Sequence, residues 1–410
     1  MRIGNFNQRL ITTSLAAGLL LAACGGGGSD GDDISNQGET DSDTLPEFDR
    51  LALVTNLADN AQNRIQAFQV GVADLESKIA ALCSSDTALL EDSELLTAAR
   101  DAWKITIKDW QFLESFQWGP ALADAEALRS DIYSWPLVNY CRVDREVATS
   151  VLDGAGYSLS EIDLTKGLPA IEYLLFDDDL AHSCTASVAE TAGWNETSAA
   201  ERSAARCAYL ETLGADLSSK ASSLAEAWQN GFYASYVSLA ETPVLQSRIN
   251  EIYQGIFYLE DTVKDIKLGR PLGLHSSCSQ ASCIDTLEHG PSGQSMAAIY
   301  QNLKGFEAAY TGFGQDGDAG FDGFLKETGH GALADRLATS LNESLSLAEP
   351  LQGERMEDLI QDQPCNEESA LSYPLCQVFF SVKKVTDDLK GEFASVLNLE
   401  VPKQSAGDND

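Results

Sequence analysis

The sequence is poor in basic residues and histidine, and it lacks the short motifs of several enzyme classes. Its 410 residues include 27 Lys and Arg, 63 Asp and Glu and 4 His, so the formal net charge is −36. Nucleic-acid binding depends on neutralising phosphates with basic side chains, so we exclude a nucleic-acid partner. The motif HExxH and the phosphate-binding glycine loop are absent. The strings GxSxG (residues 27–31) and GxGxxG (26–31 and 312–317) follow no predicted strand, so they form neither a nucleophile elbow nor a dinucleotide fingerprint.

The N-terminal residues have the pattern of an export signal. Two arginines precede an apolar run from Leu10 to Leu21, which is shorter than the about 20 residues that a bilayer-spanning helix needs. Small residues and then Cys24 follow. We therefore predict a lipoprotein signal peptide over residues 1–23 and lipid attached to Cys24. A single-pass anchor or an uncleaved leader is the alternative.

From the lipid on Cys24 we predict a location in the cell envelope. The membrane is then one binding partner, which the lipid contacts. Gly25 follows Cys24 in place of the Asp that signals inner-membrane retention, which favours the outer membrane, at its periplasmic face or at the cell surface. Residues 24–47 are rich in Gly and acids and contain no base, which predicts an extended tether. Residues 401–410 are predicted to form a disordered tail.

Eight cysteines remain after Cys24, an even number that indicates disulfides in an exported protein. They include no CxxC pair, which argues against a zinc site built on thiols. Eight cysteines allow 105 pairings, so the sequence alone does not decide between them. Because loop-closure entropy favours near neighbours, we predict Cys83–Cys141, Cys184–Cys207, Cys278–Cys283 and Cys365–Cys376.

Apolar residues recur at helical spacing along most of the chain. One stripe runs from Leu51 to Leu82, and Ser93 precedes a second. Further helices are predicted over residues that include 198–240 and 286–310. Sustained period-two alternation is absent, so we predict an all-α fold of two consecutive, four-helix-type bundles packed together, over residues 48–210 and 211–400.

Two groups of polar residues are candidates for a site. Asp285, Glu288 and His289 lie close together in sequence and could ligate a metal, although acids at a solvated helix start are the alternative. Glu172 lies between Gly167-Leu168-Pro169 and a strongly apolar run. Inside a bundle it would need a partner, and the nearby arginines that could serve are Arg100, Arg142 and Arg145.

Several segments resemble the imelysin family, which is also described as iron-regulated-protein-A-like. They follow the family's order across nearly the whole chain after Cys24. These segments are Ala99–Trp103, Phe116–Pro120, Ile132–Leu137, Lys166–Phe176, Leu268–Gly273 and Val378–Leu397.

The resemblance implies two helical bundles, an envelope location and a role in iron acquisition. The family is also catalogued among the metallopeptidases because of a Gly-x-His-x-x-Glu motif. In this sequence the motif positions carry Gly167, Pro169 and Glu172. Proline has no lone pair for a metal, and catalytic zinc typically takes three protein ligands. Proline at the position of the motif histidine therefore argues against a metal site here and against hydrolysis.

The motif segment is predicted to line a binding pocket between the bundles, although core packing is the alternative for the aromatic side chains. The predicted lining comprises Gly167, Pro169, Glu172, Arg100, Arg142 and the tryptophans Trp103, Trp118 and Trp135.

The predicted function is that of a non-catalytic binding lipoprotein in the acquisition of iron or an iron carrier. We assign no catalytic residue and no cofactor. Iron enters as a possible ligand, and its candidate metal-binding residues are Glu172, Asp285, Glu288 and His289. One alternative is a metallopeptidase-type hydrolase. Another is a scaffold that docks other envelope proteins.

Overall fold

The computed structural model describes residues 48–85, 87–238, 241–314 and 319–402. These residues form helices and contain no strand, which confirms the all-α prediction. The signal peptide, the tether, Cys24 and most of the predicted tail lie outside the described residues. The α-helices are α1 (Arg50–Cys83), α2 (Glu94–Leu113), α3 (Ala123–Ile132), α4 (Tyr140–Asp153), α5 (Gly167–Phe176), α6 (Ala199–Ala227), α7 (Tyr233–Val237), α8 (Thr242–Ile256), α9 (Ser295–Thr311), α10 (Phe321–Glu327), α11 (Gly331–Ala348), α12 (Met356–Leu359), α13 (Pro374–Asp388) and α14 (Ala394–Val396).

The long α1 buries the apolar stripe that the sequence predicted. Leu57, Phe68 and Ile79 are almost completely buried on it, and α1 packs against both α2 and α6. The Ser93 side chain accepts a hydrogen bond from the Leu96 amide and so caps the start of α2. In the described part of the chain, no helix combines the length and the apolar character that crossing a bilayer requires.

The remaining helices extend this core. α2 packs against α9, α11 against α13, and α13 against a π-helix formed by Leu259–Gly269. The buried apolar side chains of these elements form one contiguous cluster. The predicted division at residues 210 and 211 falls within α6, and the two-bundle division remains a prediction.

Two predicted helices differ from the observed ones. The stretch 198–240 is interrupted after α6, because Asn230 and Gly231 leave helical geometry and Gly231 has a φ of 115°. The predicted helix over 286–310 begins at Ser295 instead. The cause lies at His289, whose φ of 56° is in the left-handed region that ends a right-handed helix.

The disulfide prediction is correct for the two short loops and wrong for the other two. Cys278–Cys283 and Cys365–Cys376 are bonded, but Cys83 pairs with Cys207 and Cys141 with Cys184, not Cys83 with Cys141 and Cys184 with Cys207. Helix packing brings the end of α1 beside α6, with 5.3 Å between the Cys83 and Cys207 Cα atoms, within bonding range. Entropy penalises a longer loop only slowly, so packing decides the pairing.

Removing the Cys83–Cys207 disulfide should destabilise the protein more than removing Cys278–Cys283. The first closes a separation of 124 residues and the second of 5, and loop entropy gives about 5 and about 2 kcal/mol respectively. Denaturant unfolding of the two Cys→Ala double variants measures the difference. Equal losses of unfolding free energy in the two double variants would contradict the assigned pairing. A reducing agent should also lower the melting temperature of the unmodified protein.

Candidate functional site

The motif segment forms the short, buried helix α5. Gly167 has a φ of 75°, and a Cβ at this position would lie 2.6 Å from the Ile132 carbonyl oxygen at the end of α3. Only glycine therefore fits at this close approach. Pro169 lies in the first turn, where a missing backbone N–H is tolerated. One turn later Glu172 is buried, with 2% of its surface exposed.

Both carboxylate oxygens of Glu172 have partners, and none of these partners is an arginine. Oε2 lies 2.8 Å from His289 Nδ1, while Oε1 accepts hydrogen bonds from the Ser292 amide at 3.1 Å and hydroxyl at 2.7 Å. Motif position 169 lacks an imidazole, yet His289 brings one to Glu172 from a loop 117 residues further along the chain.

The predicted arginine partners are wrong. Arg100 donates to the Leu175 carbonyl and to Asp178 at the end of α5. Arg145 binds Glu190, and Arg142 lies exposed in the first turn of α4.

The second nitrogen of His289 faces further polar groups. Its Nε2 lies 3.2 Å from the Tyr133 hydroxyl and 3.4 Å from Gln111 Nε2. Glu172 favours the tautomer with the proton on Nδ1, which leaves the lone pair on Nε2. The Trp103 ring packs edge-on against the imidazole at 5.4 Å between centroids, so the ring orientation is fixed from two sides.

Glu288 and Lys267 form a buried ion pair next to His289. Lys267 Nζ lies 2.9 Å from Glu288 Oε1, and the same oxygen accepts hydrogen bonds from Tyr133 and Gln111. Lys267 also donates to the side-chain oxygens of Gln111 and Asn302. The other oxygen, Glu288 Oε2, is buried and accepts no hydrogen bond within the described part of the chain.

The charges in this group follow from burial and pairing. Burial alone would raise the pKa of Glu288, but Lys267, His289 and the Tyr133 hydroxyl outweigh it and hold that pKa below its usual value. Burial lowers the pKa of Lys267 against the attraction of Glu288. Burial, reinforced by the negative charge of Glu288, raises the pKa of Tyr133 well above its usual value. Tyr133 is therefore a neutral hydrogen-bond donor and Glu288 an ionised acceptor.

These side chains form one buried group that we call the polar centre. Its members come from α2, from the segment after α3, from α5, from the π-helix, from the loop before α9, and from α9 itself. π-Helices are rare and are frequently found at functional sites. The polar centre comprises Gln111, Tyr133, Glu172, Lys267, Glu288, His289, Ser292 and Asn302.

The structure brings three of the four metal candidates together. Glu172, Glu288 and His289 all belong to the polar centre, whereas Asp285 lies exposed in a 3₁₀ turn. A solvated helix start is therefore wrong for Glu288 and His289, which are 2% and 3% exposed. Across the described ranges, no three His, Cys, Asp or Glu side chains are arranged to hold a metal ion.

The polar centre does not fit the catalytic metal of a hydrolase. Such a site uses three protein ligands and keeps a position open for water. Here Pro169 offers no ligand, both oxygens of Glu172 already accept hydrogen bonds, and the ammonium of Lys267 would repel a second cation at Glu288.

The predicted aromatic lining is divided between the core and the polar centre. Trp118 is buried in the core. Trp103 is also buried and donates to the Leu168 carbonyl, so it supports both α5 and the His289 ring. Trp135 is partly buried, with its ring centroid 5.7 Å from Lys267 Nζ. The pocket itself remains a prediction.

Sequence reasoning missed Gln111, Tyr133, Lys267, Ser292 and Asn302. Tyr133 lies within the family-like segment Ile132–Leu137, and Lys267 directly precedes Leu268–Gly273. For Tyr133 and Lys267, this position in or next to a family-like segment was the signal in the sequence that could have identified them.

Replacing Lys267 with Met should cost about 3–5 kcal/mol of unfolding free energy, because it leaves a buried carboxylate without its cation. The double variant K267M/E288Q should lose less than K267M alone. Urea unfolding measures both. The matched control is Lys104→Met, which removes an exposed pair with Asp101 and should cost less than about 1 kcal/mol. Equal losses in K267M and K104M would contradict a buried pair.

Comparisons with known proteins agree with the fold and identify the family. The family model for imelysin matches residues 61–372. An imelysin-like protein from Psychrobacter arcticum 273-4 has a similar structure, with a TM-score of 0.56 and 18% identity, over 87% of this chain and 98% of that one. An iron-regulated protein A precursor from Parabacteroides distasonis has a TM-score of 0.60 and 16% identity, over 87% and 97%.

A curated relative shares part of the sequence. It is the iron-regulated protein A of Synechococcus elongatus, 26% identical over 234 residues. The match covers 55% of this chain, which spans about half the length of that relative. Since the imelysin model matches most of the sequence, the chain belongs to the imelysin family.

Proposed function

We propose that this protein is a lipid-anchored binding protein of the cell envelope that captures iron or an iron carrier without cleaving a substrate. The anchor is Cys24, and the partners are the membrane and an iron species, with an envelope protein as a possible further partner. Membership of the imelysin family and the name of the curated relative support the connection with iron. The formal charge of −36 supports it as well, because an acidic surface raises the local concentration of cations.

The observation that carries the proposal is the meeting of Glu172, His289 and Glu288 in the polar centre. Imidazole and carboxylate groups suit iron among the first-row metals. His289 Nε2 is the nitrogen turned away from Glu172, and Glu288 Oε2 accepts no hydrogen bond from the described residues. We propose His289 Nε2 as the metal donor for an arriving iron species and Glu288 Oε2 as a hydrogen-bond acceptor for its carrier, because Lys267 beside Glu288 would repel the metal cation itself.

Burial determines how a ligand would arrive. Glu172, Glu288 and His289 are at most 3% exposed, so access requires neighbouring elements to separate. The loop between the Cys278–Cys283 disulfide and α9 carries Glu288, His289 and Ser292. It contributes three members of the polar centre on a single segment, so its displacement would open the centre in one step.

Iron binding should depend on His289. We expect the purified protein to bind at least one of iron(III) citrate, iron(II), haem or a siderophore at micromolar concentration, measured by equilibrium titration. His289→Gln and Glu172→Ala should weaken binding by about tenfold or more, the effect of losing one interaction to a charged group. The matched control is Asp285→Ala, which removes an exposed acid from the same loop and should not change the affinity.

Two results would contradict this proposal. One is the absence of binding to all four ligands in a protein that melts cooperatively. The other is equal affinity in the unmodified protein and in H289Q.

A metallopeptidase is the second candidate, because His289 places an imidazole beside the motif glutamate. We expect no cleavage of a broad peptide library with added zinc, because the polar centre provides no open metal position for water. Chelator-sensitive cleavage that disappears in Glu172→Ala would establish hydrolysis and overturn the binding proposal.

A further inference from the structure

A second polar cavity lies outside the polar centre and shares none of its residues. Its volume is about 260 Å³, and it lies between the end of α2, α3, α8 and the π-helix. This volume is slightly below the about 300–1,000 Å³ of pockets that hold drug-sized ligands, so it fits a smaller molecule. Its polar lining includes Glu114, Gln117, Glu126, Arg129, Tyr258 and Asp261.

Acidic groups outnumber basic ones in this lining. Glu114 is fully buried, and its two oxygens accept hydrogen bonds from the Trp110 indole at 2.7 Å and from Arg129 at 3.2 Å. Glu126 lies 3.6 Å from the same guanidinium. Asp261 adds a third carboxylate. Arg129 is therefore already engaged by two carboxylates, and an incoming anion would meet a net negative lining.

Two buried polar atoms in the lining, Gln117 Oε1 and the Tyr258 hydroxyl, have no hydrogen-bond partner among the described residues. Gln117 is 7% exposed, and its amide nitrogen donates to the Leu113 carbonyl, so its Oε1 remains as an acceptor. A buried polar atom without a hydrogen-bond partner destabilises the folded state by about 1–3 kcal/mol. A ligand that donates a hydrogen bond to Oε1 would remove this destabilisation.

The charge and the open acceptor select the same ligand chemistry. A net negative cavity favours a cation, and Gln117 Oε1 requires an N–H donor. Burial, followed by the negative charge of Glu114, raises the pKa of Tyr258 well above its usual value. Tyr258 therefore stays a neutral phenol, which forms an aromatic wall and adds no charge to the lining.

We propose that this cavity is a binding site for a small organic cation with N–H donors, an alkylammonium or a guanidinium compound. Glu114 and Glu126, which together exceed the single positive charge of Arg129, provide the charge, and Gln117 Oε1 accepts one N–H. The site shares no residue with the polar centre, but the Tyr258 ring on its wall lies 5.2 Å from Lys267 Nζ.

Calorimetric titration of the purified protein with putrescine and with methylguanidinium tests this site. We expect saturable binding of at least one of them at a single site, with acetate not binding. Gln117→Met removes the acceptor at similar volume, and Glu126→Gln removes one charge. Each should weaken binding by about tenfold, the effect of one charged hydrogen bond. The matched control is Asp362→Asn, which removes an exposed charge elsewhere and should leave the affinity unchanged.

Saturable binding that falls in Q117M and E126Q but persists in D362N and in Glu172→Ala would support the cavity. Binding that is unaffected by E126Q, or that falls equally in D362N, would identify general attraction to an acidic surface and overturn it. Absence of saturable binding to either cation would overturn it as well. Because the Glu126 side chain is 52% exposed, E126Q keeps the test valid even if Q117M fails to fold.

Discussion

The structure depends on the pairing of buried charged side chains in the polar centre. Lys267, Glu172 and Glu288 are all buried, and a buried charge without a partner is among the most destabilising features a fold can contain. These three residues and their partners come from six separate segments. The requirement to satisfy them fixes where the π-helix, α5 and the loop before α9 lie relative to α2 and α9.

Local pattern was enough to predict the parts of the fold that depend on neighbouring residues. The stripe on α1 and the cap at Ser93 follow from side chains within a few turns of one another. The interruption at Gly231 and the left-handed His289 are single-residue events, which an average periodicity over many residues does not register. These two predicted helices were therefore right in type and wrong in extent.

Only one part of the candidate site, the buried Glu172, could be predicted from the sequence. Glu172 was identified because a lone acid entered an apolar run, and its need for a partner was correctly inferred. Its partner His289 could not be predicted, since the two residues are 117 positions apart and meet only through the packing of α2, α5 and α9. Nearby arginines were the natural expectation, but they turn outward to Asp178 and Glu190. The same distance in sequence concealed the Cys83–Cys207 pairing.

That pairing also affects how the chain matures. A polypeptide is synthesised from its N-terminus, so Cys141 becomes available to Cys83 well before Cys207 does. Oxidation in order of emergence would join Cys83 to Cys141, which is not the native bond. The native connectivity therefore requires either that Cys83 stay reduced until α6 has emerged, or that an early bond be reshuffled by thiol exchange. The yield of correctly paired protein should consequently depend on a disulfide isomerase more than on the supply of oxidant alone.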